Sequence, residues 1–354
     1  MIQTTTIAGA PIVKIGHGLM SMSWVANPPP EEQCFESIIA GINAAPAGVK
    51  VFLNAGEFYG KWPNVTANLE LLNRFFTKYP EYAERTFLSG AAVISEHGFS
   101  QDCSPAGLER SITNTIQKLG PNKKIDLFEP ARLDPNVSIE ETMAEFNKHV
   151  ELGNIGAIGL SECSAATLER ASKVGKVAAV EIEVSLWSYE EETRKVISKA
   201  ADIGAVVAAY SPLGQGALTG KLNLADLGKD DHRSHYPKFQ EEVINSAWVR
   251  ALLLMMLFNL QSFKKNVKLV DALKALAEKK GVTTAQLSLA WVSSLGQHVV
   301  PIPGSTRAAR TVENASAALI ELSKEELEEI GHIIGANPVS GDRYPEQLMK
   351  TVWR

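Results

Sequence analysis

A short segment that follows an apolar run carries side chains suited to moving a proton. The run Phe52-Leu-Asn-Ala-Gly-Glu-Phe-Tyr-Gly60 places Asn54, Glu57 and Tyr59 close together. A tyrosine hydroxyl at such a position can donate a proton to a developing alkoxide. The alternative is a packed aromatic ring whose hydroxyl is satisfied by the fold. Position alone leaves both interpretations open.

A second group of polar side chains is suited to a phosphate. Ser305, Thr306, Arg307 and Arg310 lie where a loop enters a helical pattern. Hydroxyls, backbone N–H groups and a guanidinium at a helix N-terminus favour an anion such as a ribose 2′-phosphate. An ordinary capped helix with surface arginines would carry the same residues, so the pattern alone does not decide.

The elements that must position these groups are short apolar runs alternating with longer amphipathic segments. The predicted strands are Ile12–Ile15, Val49–Leu53, Thr86–Val93, Ile125–Phe128, Ile155–Leu160, Ala178–Glu183, Ala205–Tyr210 and Val299–Ile302. Predicted helices include one that starts at a capping Ser138 and one over Lys268–Lys280 that stops before Gly281. Strands buried on both faces and separated by helices indicate parallel βα units. Because no G-x-G-x-x-G sequence follows a strand, a closed (β/α)8 TIM barrel is favoured over an open Rossmann-like sheet.

Composition limits the classes of partner. The 354 residues are 45% hydrophobic and 21% charged, with a net charge of −5, which predicts a globular barrel domain over residues 1–354. The balance favours neither nucleic acid nor an anionic membrane surface as partner. Cys34, Cys103 and Cys163 are too few for a disulfide framework, and no metal-ligand spacing appears. Without an apolar N-terminal leader, the expected location is the cytoplasm.

One stretch, at about 244–262, does not fit the barrel pattern. Its apolar run, Ala251–Phe258, is shorter than the roughly 20 residues that span a membrane. A helix on the barrel, a lid, a partner surface, a membrane-touching segment and a retained intron in the gene model all remain open.

Five segments together carry a resemblance to a known family. Asn54-Ala-Gly-Glu-Phe-Tyr-Gly60 resembles the aldo-keto reductase segment that holds the catalytic tyrosine. Four more follow in barrel order: Gly159–Cys163, Val180–Ser188, Tyr210–Gly220 and Ile302–Asn314. The resemblance runs from Ile15 to about Ile334. Gly18-Leu-Met and Phe128-Glu-Pro-Ala-Arg132 are similar to the pyridoxal reductase-like, fungal-type branch.

The resemblance implies an NADPH-dependent oxidoreductase that reduces an aldehyde or ketone to an alcohol, with pyridoxal to pyridoxine as the best match. Tyr59, beside Asn54, would be the proton donor to this small carbonyl substrate. The residues implied to bind NADP(H) are Ser161, Glu162 and Glu181 at the carboxamide, Tyr210 on the nicotinamide, Leu213, Gln215 and Gly216 over the pyrophosphate, Ser305 and Arg310 at the 2′-phosphate, Glu313 and Asn314 at the adenine, with Ser211, Gly304 and Thr306 completing the set. The family usually has Asn and Gln where this chain has Glu162 and Glu181.

The sequence departs from the family at three of its four catalytic positions. The Asp, Lys and His positions hold Asn54, Ala91 and Ala131, so Tyr59 alone is kept. Positioned acid–base groups contribute roughly 10²–10⁴-fold, so reduction at a lower rate is expected.

Other polar residues near the strand ends are Glu57, His97, Glu129 and Arg132, which either compensate for these losses or are solvated and ion-paired rim residues. Cys163 is interpreted as a packing residue. The alternative function is a cofactor-binding barrel that is redox-neutral, as an isomerase or cyclase of secondary metabolism, or a non-catalytic nucleotide-binding subunit.

Overall fold

The computed structural model describes residues 1–93, 101–222, 231, 233, 236–239 and 262–354, with side chains from residue 265 onward in the last range. A hairpin of two antiparallel strands, β1 (Thr4–Ile7) and β2 (Ala10–Val13), comes first. Eight parallel strands follow: β3 (His17–Gly18), β4 (Val51–Gly56), β5 (Thr86–Ala92), β6 (Leu127–Pro130), β7 (Ile158–Ser161), β8 (Val177–Glu183), β9 (Val206–Tyr210) and β10 (Val299–Pro301).

The parallel strands pair in chain order from β3 to β10 and close on themselves. The Gly16 amide donates to the Pro301 carbonyl at 2.9 Å, and the Gly18 amide donates to the Pro303 carbonyl at 3.1 Å. A β-carbon on Gly18 would lie 2.9 Å from the Ile302 carbonyl oxygen, so this approach of β3 to the last strand needs glycine. The (β/α)8 TIM barrel expected from the sequence is confirmed.

Helices connect the strands and cover the outside of the barrel. Those described are α1 (Glu31–Ala44), α2 (Ala67–Lys78), α3 (Pro105–Leu119), α4 (Ile139–Glu151), α5 (Ala165–Ser172), α6 (Glu191–Ile203), α7 (Ser262–Lys280), α8 (Thr284–Ser294), α9 (Ala308–Ser316), α10 (Lys324–Ala336) and α11 (Glu346–Met349). Ser138 caps α4 in a capping box with Glu141, as its sequence predicts. Gly281 takes a positive φ of 75° after α7, which is the expected helix ending.

The first predicted strand, Ile12–Ile15, is wrong in its bounds and its role. The apolar run is divided: its first two residues end the hairpin strand β2, and the barrel strand begins only at His17. Ala8 and Gly9, both at positive φ, turn the chain between the hairpin strands. The other seven predicted strands overlap the observed ones, with bounds that differ by at most three residues.

The barrel interior is filled with apolar side chains up to the ends of its strands. This inner cluster consists of Ile7, Ile12, Phe52, Phe87, Leu127, Ala157, Ala178, Ala179, Val206, Ala208, Val300 and Ile302. Ile7 and Ile12 come from the hairpin, which therefore closes the floor of the barrel. A larger apolar layer lies between strands and helices. Polar chemistry is thereby confined to the carboxyl ends of the strands, as in other barrels of this class.

In the described part of the chain, no helix is long and apolar enough to cross a membrane. The insertion predicted at about 244–262 lies outside the described residues except for Ser262, which begins α7. The prediction of a single domain over residues 1–354 stays a prediction.

Candidate active site

Four polar side chains meet at the carboxyl ends of the barrel strands. Asn54, Glu129, Ser161 and Glu181, from β4, β6, β7 and β8, are at most 6% exposed. Strand register pairs Ala91 with Glu129 and Ser161 with Glu181. Because parallel strands all end on the same face of the barrel, these groups share one pocket floor, here called the reaction end together with Tyr59.

Tyr59 lies in the turn after β4, and its ring is fixed from two sides. A β-carbon on Gly56 would be 2.7 Å from the ring, so glycine there allows the ring to fold back over the strand end. The ring also stacks on Trp24, with centroids 5.7 Å apart. No hydrogen-bond partner for the hydroxyl lies among the described residues. The ring is packed, as one interpretation of the sequence required, but the hydroxyl is left free to donate.

Burial raises the pKa of the Tyr59 hydroxyl well above its usual value, and the charges of Glu181 and Glu129 raise it further. The nearby Arg132 opposes this shift. Tyr59 is therefore protonated throughout the neutral range, which is the form that donates.

The side chain of Asn54 is hydrogen-bonded to that of Glu181. Its Nδ2 donates to Glu181 Oε2 at 2.6 Å. Burial raises the pKa of Glu181 to about 7, against the lowering effect of its hydrogen bonds with Glu129 and Asn54 and of the Arg132 charge. Asn54 thus links the strand that precedes Tyr59 to the second buried acid of the pocket.

Glu129 is fully buried, which contradicts its interpretation as a solvated or ion-paired rim residue. Ser89 Oγ donates to its Oε1 at 3.2 Å. Burial raises the pKa of Glu129 well above its usual value, and the charge of Glu181 raises it further. A carboxyl in this environment favours its neutral form.

This chain has alanine at the two positions where the family has Lys and His. Ala91 and Ala131 are both buried. The residues beside them are ionisable instead: Glu129 is the strand partner of Ala91, and Arg132 follows Ala131. Arg132 Nη1 donates to the Ala131 carbonyl at 2.5 Å, and no described carboxylate forms an ion pair with it.

A buried ion pair lies beside the nicotinamide position expected from the resemblance. Arg343 Nη2 is 2.5 Å from Glu162 Oε2, and both side chains are fully buried. Glu162 Oε1 accepts from the Tyr210 hydroxyl at 2.7 Å and from the Glu183 amide at 3.1 Å. The Tyr210 hydroxyl also lies 2.7 Å from that of Tyr344. The Glu162 carboxylate is therefore fully engaged within the protein.

The backbone at Glu162 is held as firmly as its side chain. Glu162 has a positive φ of 52°, its amide donates to the Glu181 carbonyl at 2.9 Å, and its carbonyl accepts from Trp353 at 2.7 Å. Arg343 and Tyr344 were not identified from the sequence. Gly341-Asp-Arg-Tyr-Pro345 carries only the features of a turn, and no local pattern indicates a partner 181 residues away.

The second polar group of the sequence forms what we call the phosphate end, residues 304–314. Ser305 Oγ accepts from the Arg307 amide at 3.2 Å and so shapes the entry to α9. The Ser305 carbonyl accepts from His17 Nε2 at 2.9 Å, which ties this loop to the first barrel strand. Arg307 and Arg310 are exposed, and within the described chain neither has a carboxylate partner.

The loop after β9 takes an unusual backbone course. Ser211, Gly214, Gln215 and Gly216 all have positive φ values, of 48°, 54°, 53° and 98°. Gln215 Oε1 is buried without a hydrogen-bond partner in the described structure. The half-buried Leu213 precedes this bend. Four left-handed residues in six turn the chain sharply outward over the end of the barrel.

The two residues that the resemblance places at the adenine, Glu313 and Asn314, differ in their environment. Asn314 is buried and lines an internal cavity of about 20 Å³ with His17 and Thr311, which is room for one water. Glu313 is only half-buried. The structure brings Glu313, Thr306 and Arg310 to the outer side of the loop and α9, whereas Asn314 faces inward.

Two of the remaining candidates, Glu57 and Cys163, do not join the reaction end. Glu57 accepts from Asn114 Nδ2 at 2.7 Å and from the Ser111 hydroxyl, which anchors the loop to α3. His97 lies outside the described residues. Burial raises the pKa of the Cys163 thiol to about 12, so it stays a thiol and packs, consistent with its interpretation from the sequence.

The residues present fit a phosphorylated nicotinamide dinucleotide at both ends. The phosphate end offers two guanidiniums without described carboxylate partners and the N-terminus of α9, which together suit a 2′-phosphate. The loop after β9 offers the side-chain amide oxygen of Gln215, which has no partner among the described residues, and Tyr210 offers an aromatic face at a strand end.

Comparison with known proteins agrees with this arrangement. The Aldo/keto reductase family model matches residues 14–334. The chain is similar to probable pyridoxal reductase 2 of Schizosaccharomyces pombe, 34% identical and covering 98% of both chains. It is also similar to probable aldo-keto reductase 1 of Glycine max, 31% identical and covering 98% of this chain and 92% of that protein. Glycerol dehydrogenase of Gluconobacter oxydans shares the fold, with a TM-score of 0.77 at 22% identity over 96% of this chain and 97% of that chain. The chain belongs to the aldo/keto reductase family.

Proposed function

We propose that this protein is an NADPH-dependent reductase that converts an aldehyde or ketone to an alcohol, with pyridoxal as substrate and pyridoxine as product. The observation that carries the proposal is the Tyr59 hydroxyl, which is buried, protonated and without a described partner at the carboxyl end of the strands. The name of the Schizosaccharomyces pombe relative supports pyridoxal as the substrate.

When bound, the reduced nicotinamide supplies a hydride to the carbonyl carbon of the substrate. Tyr59 donates its proton to the carbonyl oxygen as the negative charge develops there. Arg132 has no described carboxylate partner, and its charge lowers the pKa of the Tyr59 hydroxyl. It is therefore able to stabilise negative charge on a substrate held nearby. Pyridoxal suits this proposal because its hydroxyl next to the aldehyde is acidic, and Arg132 can stabilise the negative charge that forms when this hydroxyl ionises.

NADPH is preferred to NADH in this proposal because of the phosphate end. An exposed guanidinium without a carboxylate partner is able to pair with a 2′-phosphate, and Arg310 and Arg307 are both in this state within the described structure. The three cysteines are free and buried, which supports action in a reducing compartment, and we propose the cytoplasm.

The test is to mix the purified protein with NADPH and pyridoxal and to follow the loss of the near-ultraviolet absorbance of the cofactor. We expect oxidation well above background, with one pyridoxine formed for each NADPH consumed. NADPH binding is titrated separately by the quenching of protein fluorescence. Oxidation that is equally fast without the protein, or without an aldehyde, would contradict the proposal.

The second candidate is a barrel that binds the cofactor but performs redox-neutral chemistry or none. It is favoured by the methyl groups of Ala91 and Ala131 and by the Glu162–Arg343 pair, which fills the hydrogen-bonding capacity of Glu162. Tight NADPH binding with no oxidation across a panel of aldehydes and ketones would select this candidate over the first.

A further inference from the structure

Two acids from different strands meet above a glycine at the reaction end. Glu129 ends β6 and Glu181 lies on β8, with β7 between them. A β-carbon on Gly159 of β7 would lie 2.6 Å from Glu129 Oε2. A side-chain hydrogen bond between the two carboxyls shifts the pKa of each, raising that of Glu129 and lowering that of Glu181. The missing side chain at Gly159 therefore leaves room for Glu129 in the space between the two strands.

The groups around this acid pair, Glu129 with Glu181, do not neutralise two negative charges. Each carboxyl accepts a hydrogen bond from a neutral group, Ser89 or Asn54, and no described cation forms an ion pair with either. Arg132 acts on Glu181 from a longer range, and the negative Glu162 opposes it. Two carboxylates buried side by side cannot both be ionised cheaply, so one proton stays with them.

An unsatisfied oxygen points to the same conclusion. Glu129 Oε2 is fully buried and receives no hydrogen bond from any described donor. A buried acceptor without a donor costs about 1–3 kcal/mol, and more when it carries charge. A proton held between the two carboxyls removes this cost without any further residue.

Tyr59 lies close to the pair, because its ring folds over Gly56, and Gly56, Ala91 and Glu129 are register partners in successive strands. Tyr59 is nine-tenths buried, its hydroxyl has no hydrogen-bond partner in the described parts of the chain, and Glu181 and Glu129 are the charges that act on it most strongly. In the family, a lysine at position 91 would occupy this side of the tyrosine. Here Ala91 leaves the place to its strand partner, Glu129.

We propose that Glu129 and Glu181 hold one proton between them and pass it to Tyr59 as Tyr59 protonates the substrate, in place of the lysine and histidine that the family uses. This inference rests on the proposed reductase function. It assigns a catalytic role to a pair of residues of which one was expected only to contact the carboxamide of the cofactor.

The hydride forms a C–H bond at the carbonyl carbon, and the carbonyl oxygen takes the Tyr59 proton. No hydrogen bond joins the Tyr59 hydroxyl to either carboxyl in the described structure, so a bridging water carries the proton of the acid pair to Tyr59. The pair is left with two negative charges and regains a proton from water after the alcohol leaves. No oxidant or reductant beyond the nicotinamide is needed. Because the proton arrives as it is lost, no buried tyrosinate accumulates.

The first experiment uses infrared spectroscopy of the protein without cofactor or substrate. We expect a protonated carboxyl band at pH 6 that is lost in the double variant Glu129→Gln, Glu181→Gln. Glu57→Gln, which removes a carboxyl outside the pair, is the matched control and should keep the band. If wild type lacks the band, or if the double variant keeps it, the shared proton is overturned.

The second experiment measures kcat for pyridoxal reduction against pH. In wild type kcat should stay constant through neutrality, while the pair still holds a proton, and should fall at alkaline pH as that proton is lost. Each single glutamine variant should move this decline to lower pH, because the remaining carboxyl no longer has an acidic neighbour. The double variant should lose the decline and about 100-fold in kcat at pH 6.5. Wild-type kcat in the double variant would overturn the relay.

The two experiments separate this inference from the proposed function. If the band is present but no aldehyde or ketone is reduced, the proposed function and the relay are both overturned. If pyridoxal is reduced but the band is absent, the reductase stands and the acid pair is overturned. Position 181 provides an internal check, because the family usually has Gln there: a role limited to carboxamide binding would leave Glu181→Gln fully active.

Gly159→Ala tests the geometry without changing a charged group. The new methyl would lie 2.6 Å from Glu129 Oε2 and push the carboxyl away from Glu181. We expect a loss of the infrared band with the barrel still folded. Gly331→Ala, where nothing lies within 4 Å, is the control for adding a methyl group. A band unchanged in Gly159→Ala would overturn the placement of the pair.

Discussion

The reaction end and the phosphate end of the site are built in opposite ways. At the reaction end, Asn54, Glu129 and Glu181 are buried, and Asn54 donates a hydrogen bond to Glu181 across strands that are far apart in sequence. At the phosphate end, Arg307 and Arg310 are exposed on one loop and helix, without carboxylate partners in the described chain. One end depends on a low local dielectric, whereas the other depends on groups open to water.

Because of this difference, we expect the two ends to control different quantities, the rate of the reaction and the affinity for the cofactor. Buried, preorganised groups act most strongly on charge that develops during a reaction. Exposed charges at a helix N-terminus act on charge that a ligand carries permanently, and salt weakens them. Changes at the reaction end should therefore alter kcat, folding or pH dependence, and changes at the phosphate end should alter cofactor choice.

The largest expected effect is at Tyr59. Tyr59→Phe removes the proton donor but keeps the ring on Trp24, so kcat for pyridoxal should fall by about 10²–10⁴-fold while NADPH affinity is unchanged. Steady-state kinetics and fluorescence titration measure the two quantities. Tyr82→Phe, on a ring that packs against Phe75 in the outer layer, is the control. Wild-type kcat in Tyr59→Phe would remove Tyr59 from the mechanism.

The next effect is on stability at Arg343. Arg343→Met leaves the Glu162 carboxylate buried without its ion-pair partner, which should cost about 3–5 kcal/mol of the free energy of unfolding. Adding Glu162→Gln should recover part of that loss. Lys350→Met, which breaks an exposed pair with Glu346, should cost almost nothing. Urea unfolding would contradict the prediction if the two single variants lost the same amount.

The pH dependence of stability should differ between the two ends. Burial raises the pKa of Glu181 from 4.5 to about 7. Its contribution to stability is therefore fully present below pH 4.5 and is lost as the pH rises through about 7, by up to roughly 3 kcal/mol. Burial lowers the pKa of His17, under the phosphate end, to about 4, so its contribution is lost as the pH falls from about 6.5.

Urea unfolding of wild type and Glu181→Gln between pH 5 and pH 8 isolates the first of these contributions. The stability of the variant relative to wild type should increase with pH over this range. A difference that stays constant, or that decreases with pH, would show that Glu181 is ionised throughout.

The smallest expected effect is at Arg310. Arg310→Ala should weaken NADPH binding about tenfold, equivalent to about 1.4 kcal/mol, and leave NADH binding unchanged. Fluorescence titration at two salt concentrations measures it, and the loss should shrink at high salt because the group is exposed. Arg74→Ala, on the outer helix α2, is the control. Equal loss for both cofactors would remove Arg310 from the 2′-phosphate site.

The difference between the reaction end and the phosphate end also explains which parts of the site could be predicted from the sequence. Ser305, Arg307 and Arg310 are neighbours in sequence, so a phosphate site was recognisable from one segment. Seven of the eight strands were located because their apolar residues are contiguous. Their carboxyl ends were placed too early where polar residues such as Asn54 and Glu129 continue the strand. Those polar residues are the ones that form the reaction end.

The hairpin and the buried ion pair were beyond local patterns. Ile12 has the same apolar neighbours whether it lies in a hairpin or in a barrel strand, and only its pairing with Thr5 distinguishes the two. Glu162 and Arg343 each look like surface residues until the fold brings them together. The acid pair likewise depends on Gly159, whose importance comes from what lies across it.

The distance in sequence between Glu162 and Arg343 has a consequence for how the protein is made. Arg343 is synthesised 181 residues after Glu162, which at 5–20 residues per second is a delay of roughly 10 to 40 seconds. Throughout that time the nascent barrel holds Glu162 without its counter-charge. The first barrel strand waits longer still for its closing partner, since Gly18 pairs with Gly304. We therefore expect a growing chain with an open barrel and an uncompensated acid, which is the kind of unfinished fold that chaperones bind.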